Sequence, residues 1–201
     1  LNDLSKYQFK ILQGQTGSAK TKILNCLNYM NAQVIDLESF ACHRGSLLGS
    51  EINKKQHSQR YFESLLHNAI DNFDCTKPIF IESESSKIGK LHLPKKLWLK
   101  LNESDRLLLN VPINERIKFL LKEYKHLTED CKLIQPFISG MKGKISNEKL
   151  SNWTNLIQKQ DWKNFVKEIL ENHYDPKYNF SATKHMNKIK HKIDIIELNK
   201  L

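Results

Sequence analysis

Apolar positions in the first two thirds of the chain alternate between a strand pattern and a helix pattern. Residues 7–13 predict a short strand, and residues 20–30 predict the helix that follows a glycine-containing turn. The alternation continues with strands predicted at 33–37, 78–82 and 106–111, helices at 58–73, 94–101 and 113–124, and loops at 40–55 and 83–92. This order predicts an α/β fold in which helices cover both faces of a parallel sheet.

The pattern changes after Pro136. Residues 150–157 and 162–170 predict two amphipathic helices, and we find no strand pattern in this part of the sequence. The last segment, 177–201, is predicted as a basic helix or a fraying tail. Its basic side chains either contact tRNA phosphates or form a solvated helix face; they are Lys184, His185, Lys188, Lys190, His191 and Lys192.

A motif between the first strand and the first helix predicts phosphate binding. It consists of Gly14, Gln15, Thr16, Gly17, Ser18, Ala19, Lys20 and Thr21. Glycines before a helix N-terminus let backbone N–H groups converge on a phosphate, as in a phosphate-binding loop (P-loop). Lys20 is expected to reach the terminal phosphate, and Thr21 to ligate Mg²⁺ where that ion is bound. Ala19 replaces the usual Gly, which fits if its φ is negative.

These features predict two parts of the chain. Residues 1–135 are expected to form a P-loop NTPase-like parallel sheet flanked by helices, and residues 136–201 a C-terminal helical extension with a basic tail. A P-loop alone does not name a reaction, because kinases, ATPases and transferases share it. A GTPase is disfavoured, since the sequence has no Asn-Lys-x-Asp string.

Acidic side chains end two of the predicted strands. Asp36 and Glu38 follow the second strand, and Glu82 and Glu84 the third. The carboxyl edge of a parallel sheet is the usual ligand site, and carboxylates bind Mg²⁺. We therefore predict Thr21, Asp36 and Glu82 as Mg²⁺ ligands, with a solvated strand end as the alternative.

Composition narrows the classes of partner and compartment. Lys and Arg number 32 against 22 Asp and Glu, a net charge of +10 that favours a polyanionic partner. The four cysteines form no CxxC pair, so neither a zinc site nor a disulfide framework is expected. No apolar run has the length of a membrane helix and no signal peptide is visible, so we expect a cytoplasmic protein without membrane contact.

An ordered set of loop motifs extends these predictions. They are Asp36-Leu37-Glu38, Ala41-Cys42-His43-Arg44-Gly45-Ser46, Gln56-His57-Ser58-Gln59, Glu82-Ser83-Glu84-Ser85-Ser86-Lys87-Ile88-Gly89 and Leu93-Pro94. With the P-loop, this set resembles the P-loop domain of tRNA 2-selenouridine synthases over residues 9–124. Cys42 replaces the family's Asn, Ser83 an Asp, and Lys87 stands in an Arg-rich stretch.

The resemblance implies a tRNA-modifying transferase. Family members convert wobble 2-thiouridine of tRNA to 2-selenouridine through an S-geranyl intermediate, with geranyl pyrophosphate and selenophosphate as co-substrates. Lys20, Thr21, His43 and Arg44 are then the predicted catalytic residues. The predicted substrate contacts are Arg44, Gly45, Ser46, Gln56, Ser58, Gln59, Glu82, Glu84, Lys87 and Arg116; for Ser58 and its neighbours a capped helix start is the alternative.

The family resemblance also implies a rhodanese domain whose Cys handles selenium. This sequence begins almost at its first predicted strand, so we expect either a fragment or a subunit that works with a separate rhodanese-domain protein. Two further functions stay open: an ATP-dependent small-molecule kinase, and a tRNA-binding module without its own catalysis.

Overall fold

A five-stranded parallel sheet organises the protein. The structure, a computed structural model, describes residues 3–43 and 55–198. Its strands are β1 Phe9–Gly14, β2 Gln33–Ile35, β3 Ile79–Glu82, β4 Lys87–Ile88, β5 Leu91–His92, β6 Asp105–Asn110 and β7 Ile189–Asp194. The sheet has the order β2-β3-β1-β6-β7 with every pairing parallel, and β4 and β5 form a separate hairpin. The predicted α/β fold is confirmed.

Helices follow the strands and then continue without them. They are α1 Lys20–Tyr29, α2 Leu37–Ala41, α3 Gln59–Asp71, α4 Lys95–Glu103, α5 Ile113–Glu123, α6 Lys125–Glu129, α7 Gln135–Met141, α8 Asn147–Gln158, α9 Trp162–Ile169 and α10 Asp175–Thr183. Ser58 caps α3, as predicted, by accepting a hydrogen bond from the Tyr61 N–H at 3.2 Å. Among the helices of the described residues, none has the length and apolar composition needed to cross a bilayer.

Two larger apolar cores, and a smaller one around Val111, hold these elements. In the first, Ile11 and Ile81 of the sheet pack with Phe62 of α3 and Leu97 of α4, all at most 2% exposed. In the second, fully buried Trp153 of α8 packs beside Phe137 and Phe165, with ring centroids 6.3 Å from each. Burial of a large apolar side chain contributes about 1.5–3 kcal/mol. The second core therefore makes the C-terminal helices a packed body.

The C-terminal segment departs from its prediction. Residues 175–183 are helical, but Ile189–Asp194 is strand β7 and pairs with β6, so the expectation of a basic helix or fraying tail without a strand is wrong there. Lys190, His191 and Lys192 are exposed at the edge of the sheet. With no buried face, this edge strand lacks the apolar alternation that marks a strand in a sequence.

Two predicted loops contain short elements. Asp36 accepts a hydrogen bond from the Ser39 N–H at 2.8 Å and thereby starts α2, which runs into the segment predicted as a loop at 40–55. The segment predicted as a loop at 83–92 contains the β4–β5 hairpin, held by a turn at Gly89. Both elements are too short to show a hydrophobic period.

Candidate functional site

The P-loop lies between β1 and α1, as its motif predicts. Gly17 has φ +84°, and the Ser18 N–H donates to the Gln15 carbonyl oxygen at 3.1 Å, which closes the turn. A Cβ at Gly14 would overlap the Ser18 hydroxyl and lie 3.2 Å from the Leu109 Cβ. These positions need glycine because the loop folds tightly back on itself.

Ala19 adopts a conformation that the sequence prediction did not allow. Its φ of 58° and ψ of 29° place it in the left-handed region immediately before α1. A residue with a Cβ is destabilised there by roughly 1–2 kcal/mol relative to the right-handed region. The expected negative φ is therefore wrong, and the loop holds a strained residue where Gly would be relaxed.

The P-loop contains two side-chain hydrogen-bond donors whose present partners are informative. Lys20 Nζ donates to the Gly14 carbonyl oxygen at 2.9 Å, so the ammonium group lies across the loop. The Ser18 hydroxyl is 1% exposed and has no hydrogen-bond partner within residues 3–43 and 55–198. A bound phosphate would replace the carbonyl as the partner of Lys20 and accept from the backbone N–H groups.

An acidic cluster lies beside the loop. Carboxylate oxygens of Glu38, Glu82 and Glu84 all lie within 4.8 Å of one another. Glu82 is 2% exposed and accepts a hydrogen bond from the Glu38 N–H at 3.1 Å. Burial, and then the negative charges of Glu38, Glu84 and Asp36, raise the pKa of Glu82 well above its ordinary value. Such a group calls for a proton or a cation.

The acidic cluster fits a divalent cation. Its donors are all carboxylate oxygens, the ligands that Mg²⁺ prefers. Burial raises the pKa of Glu84, although the positive charge of Lys20 lowers it, so loop and cluster act on each other. Of the predicted metal ligands, Glu82 belongs to this cluster, Thr21 lines the same cavity, and Asp36 caps α2. Metal binding stays a prediction.

A cavity of about 1290 Å³ joins this polar end to an apolar wall. The P-loop, the acidic cluster and Arg106 line one part of it. The other part is lined by apolar side chains of α5, α6 and α9, among them Phe119, Leu127, Phe165, Val166 and Ile169. The C-terminal helices, which the sequence did not link to the site, thus supply one wall.

Several predicted substrate contacts serve the structure itself. Gln56 donates to the Ile88 carbonyl oxygen at 2.8 Å and accepts from the Lys90 N–H at 2.9 Å. Gln59 brackets His92 in the same way, at 2.8 Å and 2.9 Å. Both glutamines fasten the β4–β5 hairpin to the start of α3, and Lys87 of that hairpin is exposed. A substrate role for these residues stays a prediction.

Of the remaining predicted residues, the structure describes His43 and Arg116. His43 is half-buried, burial lowers the pKa of its ring, and a Cβ at Gly89 would lie 2.8 Å from its Cδ2. Arg116 is 3% exposed and donates to both carboxylate oxygens of Asp175 at 2.8 Å, so its guanidinium already has a strong partner. Arg44, Gly45 and Ser46 lie outside the described residues.

Solved structures offer a weak likeness. A shikimate kinase from Bacteroides thetaiotaomicron is 14% identical, with 93% of this chain and 85% of that chain covered and a TM-score of 0.36. A tRNA delta(2)-isopentenylpyrophosphate transferase from Staphylococcus epidermidis is 14% identical, with 94% and 93% covered and a TM-score of 0.40. Likenesses of this size carry no argument about function.

Sequence relatives are more informative. The tRNA 2-selenouridine synthase of Marinobacter nauticus is 38% identical over 119 residues, which cover 58% of this chain and 31% of that protein. That of a Sulfurovum species is 29% identical over 210 residues, which cover 90% of this chain and 57% of that protein. The chain therefore spans less than two thirds of the length of these relatives.

A family model agrees with these relatives and with the loop motifs. The model described as the tRNA 2-selenouridine synthase AAA domain matches residues 7–136, from the start of the sheet to the first C-terminal helices. This match confirms the resemblance inferred from the motifs, and the chain belongs to the family of tRNA 2-selenouridine synthase AAA domains.

Proposed function

We propose that this chain is the P-loop part of a tRNA 2-selenouridine synthase and carries out geranyl transfer to wobble 2-thiouridine of tRNA. The observation that supports it best is the lining of the cavity. The P-loop and apolar side chains of α5, α6 and α9 line the same cavity. A prenyl diphosphate likewise combines a polyanionic head with a hydrocarbon tail.

The proposed transfer needs stabilisation of a leaving diphosphate. The thiocarbonyl sulfur attacks the first carbon of geranyl, a C–S bond forms, and the C–O bond breaks with its electron pair going to diphosphate. The N3 proton of the thiouridine is lost to solvent, which leaves a neutral S-geranyl base. Negative charge grows on that diphosphate in the transition state. N–H groups of Gly17 to Thr21 and the Lys20 ammonium are preorganised donors for it, and such stabilisation is usually the largest catalytic contribution.

Other groups would hold the reactants in place. Glu38, Glu82 and Glu84 would hold Mg²⁺, whose charge neutralises part of the diphosphate. Thr21, His43 and Arg44 remain the predicted partners of Lys20 in catalysis. Apolar side chains such as Phe119 and Phe165 would bury the geranyl chain, each CH₂ contributing about 0.8 kcal/mol.

Selenation would follow as a second stage. We propose selenophosphate as the selenium donor and a rhodanese-domain protein as the source of the selenium-handling Cys, in the cytoplasm. The support is family membership together with the chain's coverage of 57% of the Sulfurovum relative. The proposed tRNA contacts include the exposed Lys190 and Lys192 of β7.

Mass spectrometry of a 2-thiouridine anticodon stem-loop tests the proposal. We expect the stem-loop, incubated with this chain, geranyl pyrophosphate and Mg²⁺, to gain one geranyl group. Lys20→Ala should reduce the rate at least 100-fold, because a charge-assisted donor to the leaving group is lost. Lys96→Ala, an exposed lysine of α4, is the matched control and should keep the wild-type rate.

The outcomes separate the remaining functions. Transfer that proceeds equally fast in Lys20→Ala would contradict the role of the P-loop. Tight RNA binding without transfer would favour a binding module, and binding of ATP but not of geranyl pyrophosphate would favour a kinase.

A further inference from the structure

Arg106 is a buried cation without a matching anion. It lies on β6 and is 5% exposed. Its guanidinium donates to the Gln13 side-chain oxygen and to the Ser83 hydroxyl, each at a long 3.3 Å, and both acceptors are neutral. Its Nε has no partner, and none of the ion pairs among the described residues includes it.

Arg116 is a buried arginine of the same protein whose charge is compensated by a carboxylate. It is buried to a similar degree, at 3% exposed, yet it faces a carboxylate with two contacts of 2.8 Å. A buried charge is strongly unfavourable unless an opposite charge compensates it. Burial accordingly lowers the pKa of Arg106. The difference between the two arginines indicates that the partner of Arg106 is not part of the described chain.

The surroundings of Arg106 are built for an anion. Arg106, Gln13 and Ser83 line the cavity together with Tyr178, Lys184 and His185 from the C-terminal segment. The Arg106 charge contributes, after burial, to a lowered pKa of His185, which places the two groups near each other. Burial raises the pKa of Tyr178 to about 12, although a hydrogen bond with the Gln13 side chain lowers it, so the phenol lies beside the Gln13 acceptor of Arg106.

We propose that Arg106 is the centre of a second anion-binding site in the cavity, separate from the P-loop, that takes a small tetrahedral oxyanion of the phosphate class. A guanidinium matches such an anion because its planar fork donates two parallel hydrogen bonds. Tyr178 and Lys184 line the same cavity and would add further donors to a bound anion. In the proposed reaction this site would hold the phosphate-class co-substrate, a clause that rests on the proposed function; the anion site itself does not.

Calorimetric titration with inorganic phosphate tests the site. We expect the wild-type chain to bind two phosphates, and Lys20→Ala to keep only the site at Arg106. Adding Arg106→Gln to Lys20→Ala should weaken the remaining binding at least tenfold. Arg60→Gln, the same change at an exposed arginine of α3, is the control and should leave the affinity within twofold.

Melting temperature provides a readout that a purely structural role would move in the opposite direction. Without phosphate, Arg106→Gln should melt at or above the wild-type temperature, because an uncompensated charge is removed. When Arg106→Gln is added to Lys20→Ala, phosphate should no longer raise the melting temperature as it does for Lys20→Ala alone. A lower melting temperature with unchanged phosphate affinity would show that Arg106 only supports the sheet, and the proposal would be wrong.

A short RNA distinguishes the source of the phosphate group. The affinity of an unmodified anticodon stem-loop should stay within twofold in Arg106→Gln, since a free anion reaches a buried guanidinium more easily than a phosphodiester does. A large loss of RNA affinity with intact phosphate binding would assign Arg106 to the RNA backbone and overturn the proposal.

Discussion

Two residues of the P-loop adopt a left-handed φ, and only one of them is strained by it. Gly17 supplies the left-handed φ that the turn requires without strain, whereas Ala19 adopts a left-handed φ of 58° with a side chain that is 4% exposed. The side chain of Ala19 is thus accommodated in the core while its backbone is strained. The sequence predicted the loop from its Gly, Lys and Thr; the Gly usual at position 19 signals a positive φ, which Ala19 keeps although it has a Cβ.

Relief of that strain is measurable. Ala19→Gly should raise the free energy of unfolding by about 1 kcal/mol, because Gly adopts a positive φ readily. Ala69→Gly in α3 is the control and should lower it by about 1 kcal/mol, the usual helix penalty. Urea denaturation measures both. A destabilised Ala19→Gly would contradict the assigned backbone conformation.

Glu82 gives a pH dependence whose sign follows from its environment. Its pKa in the folded chain lies above the ordinary 4.5, so the unfolded chain releases this proton first as the pH rises. Stability contributed by the protonated form is therefore present below about pH 4.5 and is lost as the pH rises through the folded pKa. Asp36 and Glu84, whose pKa values burial also raises, act in the same direction.

Glu82→Gln should remove most of the stability loss that the chain undergoes as the pH rises. We expect its melting temperature in EDTA at pH 7.5 to exceed that of the wild type, with a flatter profile between pH 4.5 and 7.5. Mg²⁺ should stabilise the wild type and have less effect on the variant. Glu103→Gln at the exposed end of α4 should follow the wild-type profile. A variant that melts lower than the wild type in EDTA would contradict the buried, uncompensated carboxylate.

Among the elements, α10 is joined to α5 and the P-loop by a largely buried ion pair. Arg116 of α5 donates to Asp175 at the start of α10 and to the Thr16 carbonyl oxygen of the P-loop at 3.2 Å. The sequence predicted α5 as a helix and most of α10 as part of a basic helix or tail. It did not predict the contact between them. Asp175 lies 59 positions from Arg116 in sequence, and no periodicity joins them.

Removing one partner of this pair should weaken the whole chain. Asp175→Asn leaves Arg116 buried and uncompensated, and we expect a loss of about 3 kcal/mol in the free energy of unfolding. Glu129→Gln, which breaks the exposed pair with Lys125, should change it by less than about 1 kcal/mol. The double variant Asp175→Asn with Arg116→Met should recover much of the loss. An Asp175→Asn variant as stable as Glu129→Gln would contradict a stabilising role for the Arg116–Asp175 ion pair.

For the whole molecule, prediction succeeded where one face of an element is buried and failed where burial is absent or comes from distant parts. The strands β1, β3 and β6 and the helices α3, α5, α8 and α9 have clear apolar patterns and were predicted. The edge strand β7 has exposed Lys and His side chains and was missed. The site divided in the same way, since the P-loop is a local motif whereas Arg106, the apolar wall and the C-terminal contacts are assembled only in three dimensions.

The position of β7 has a consequence for how the protein is made. Its partner β6 ends at Asn110, and β7 begins at Ile189, so all the helices from α5 to α10 must emerge from the ribosome between two neighbouring strands. Until then, β6 presents an unpaired edge next to Leu107 and Leu109, which is a template for association with other chains. Closing so long a segment is slow compared with local helix formation. The nascent chain therefore exposes this edge from the time β6 is made until β7 has emerged and paired with it.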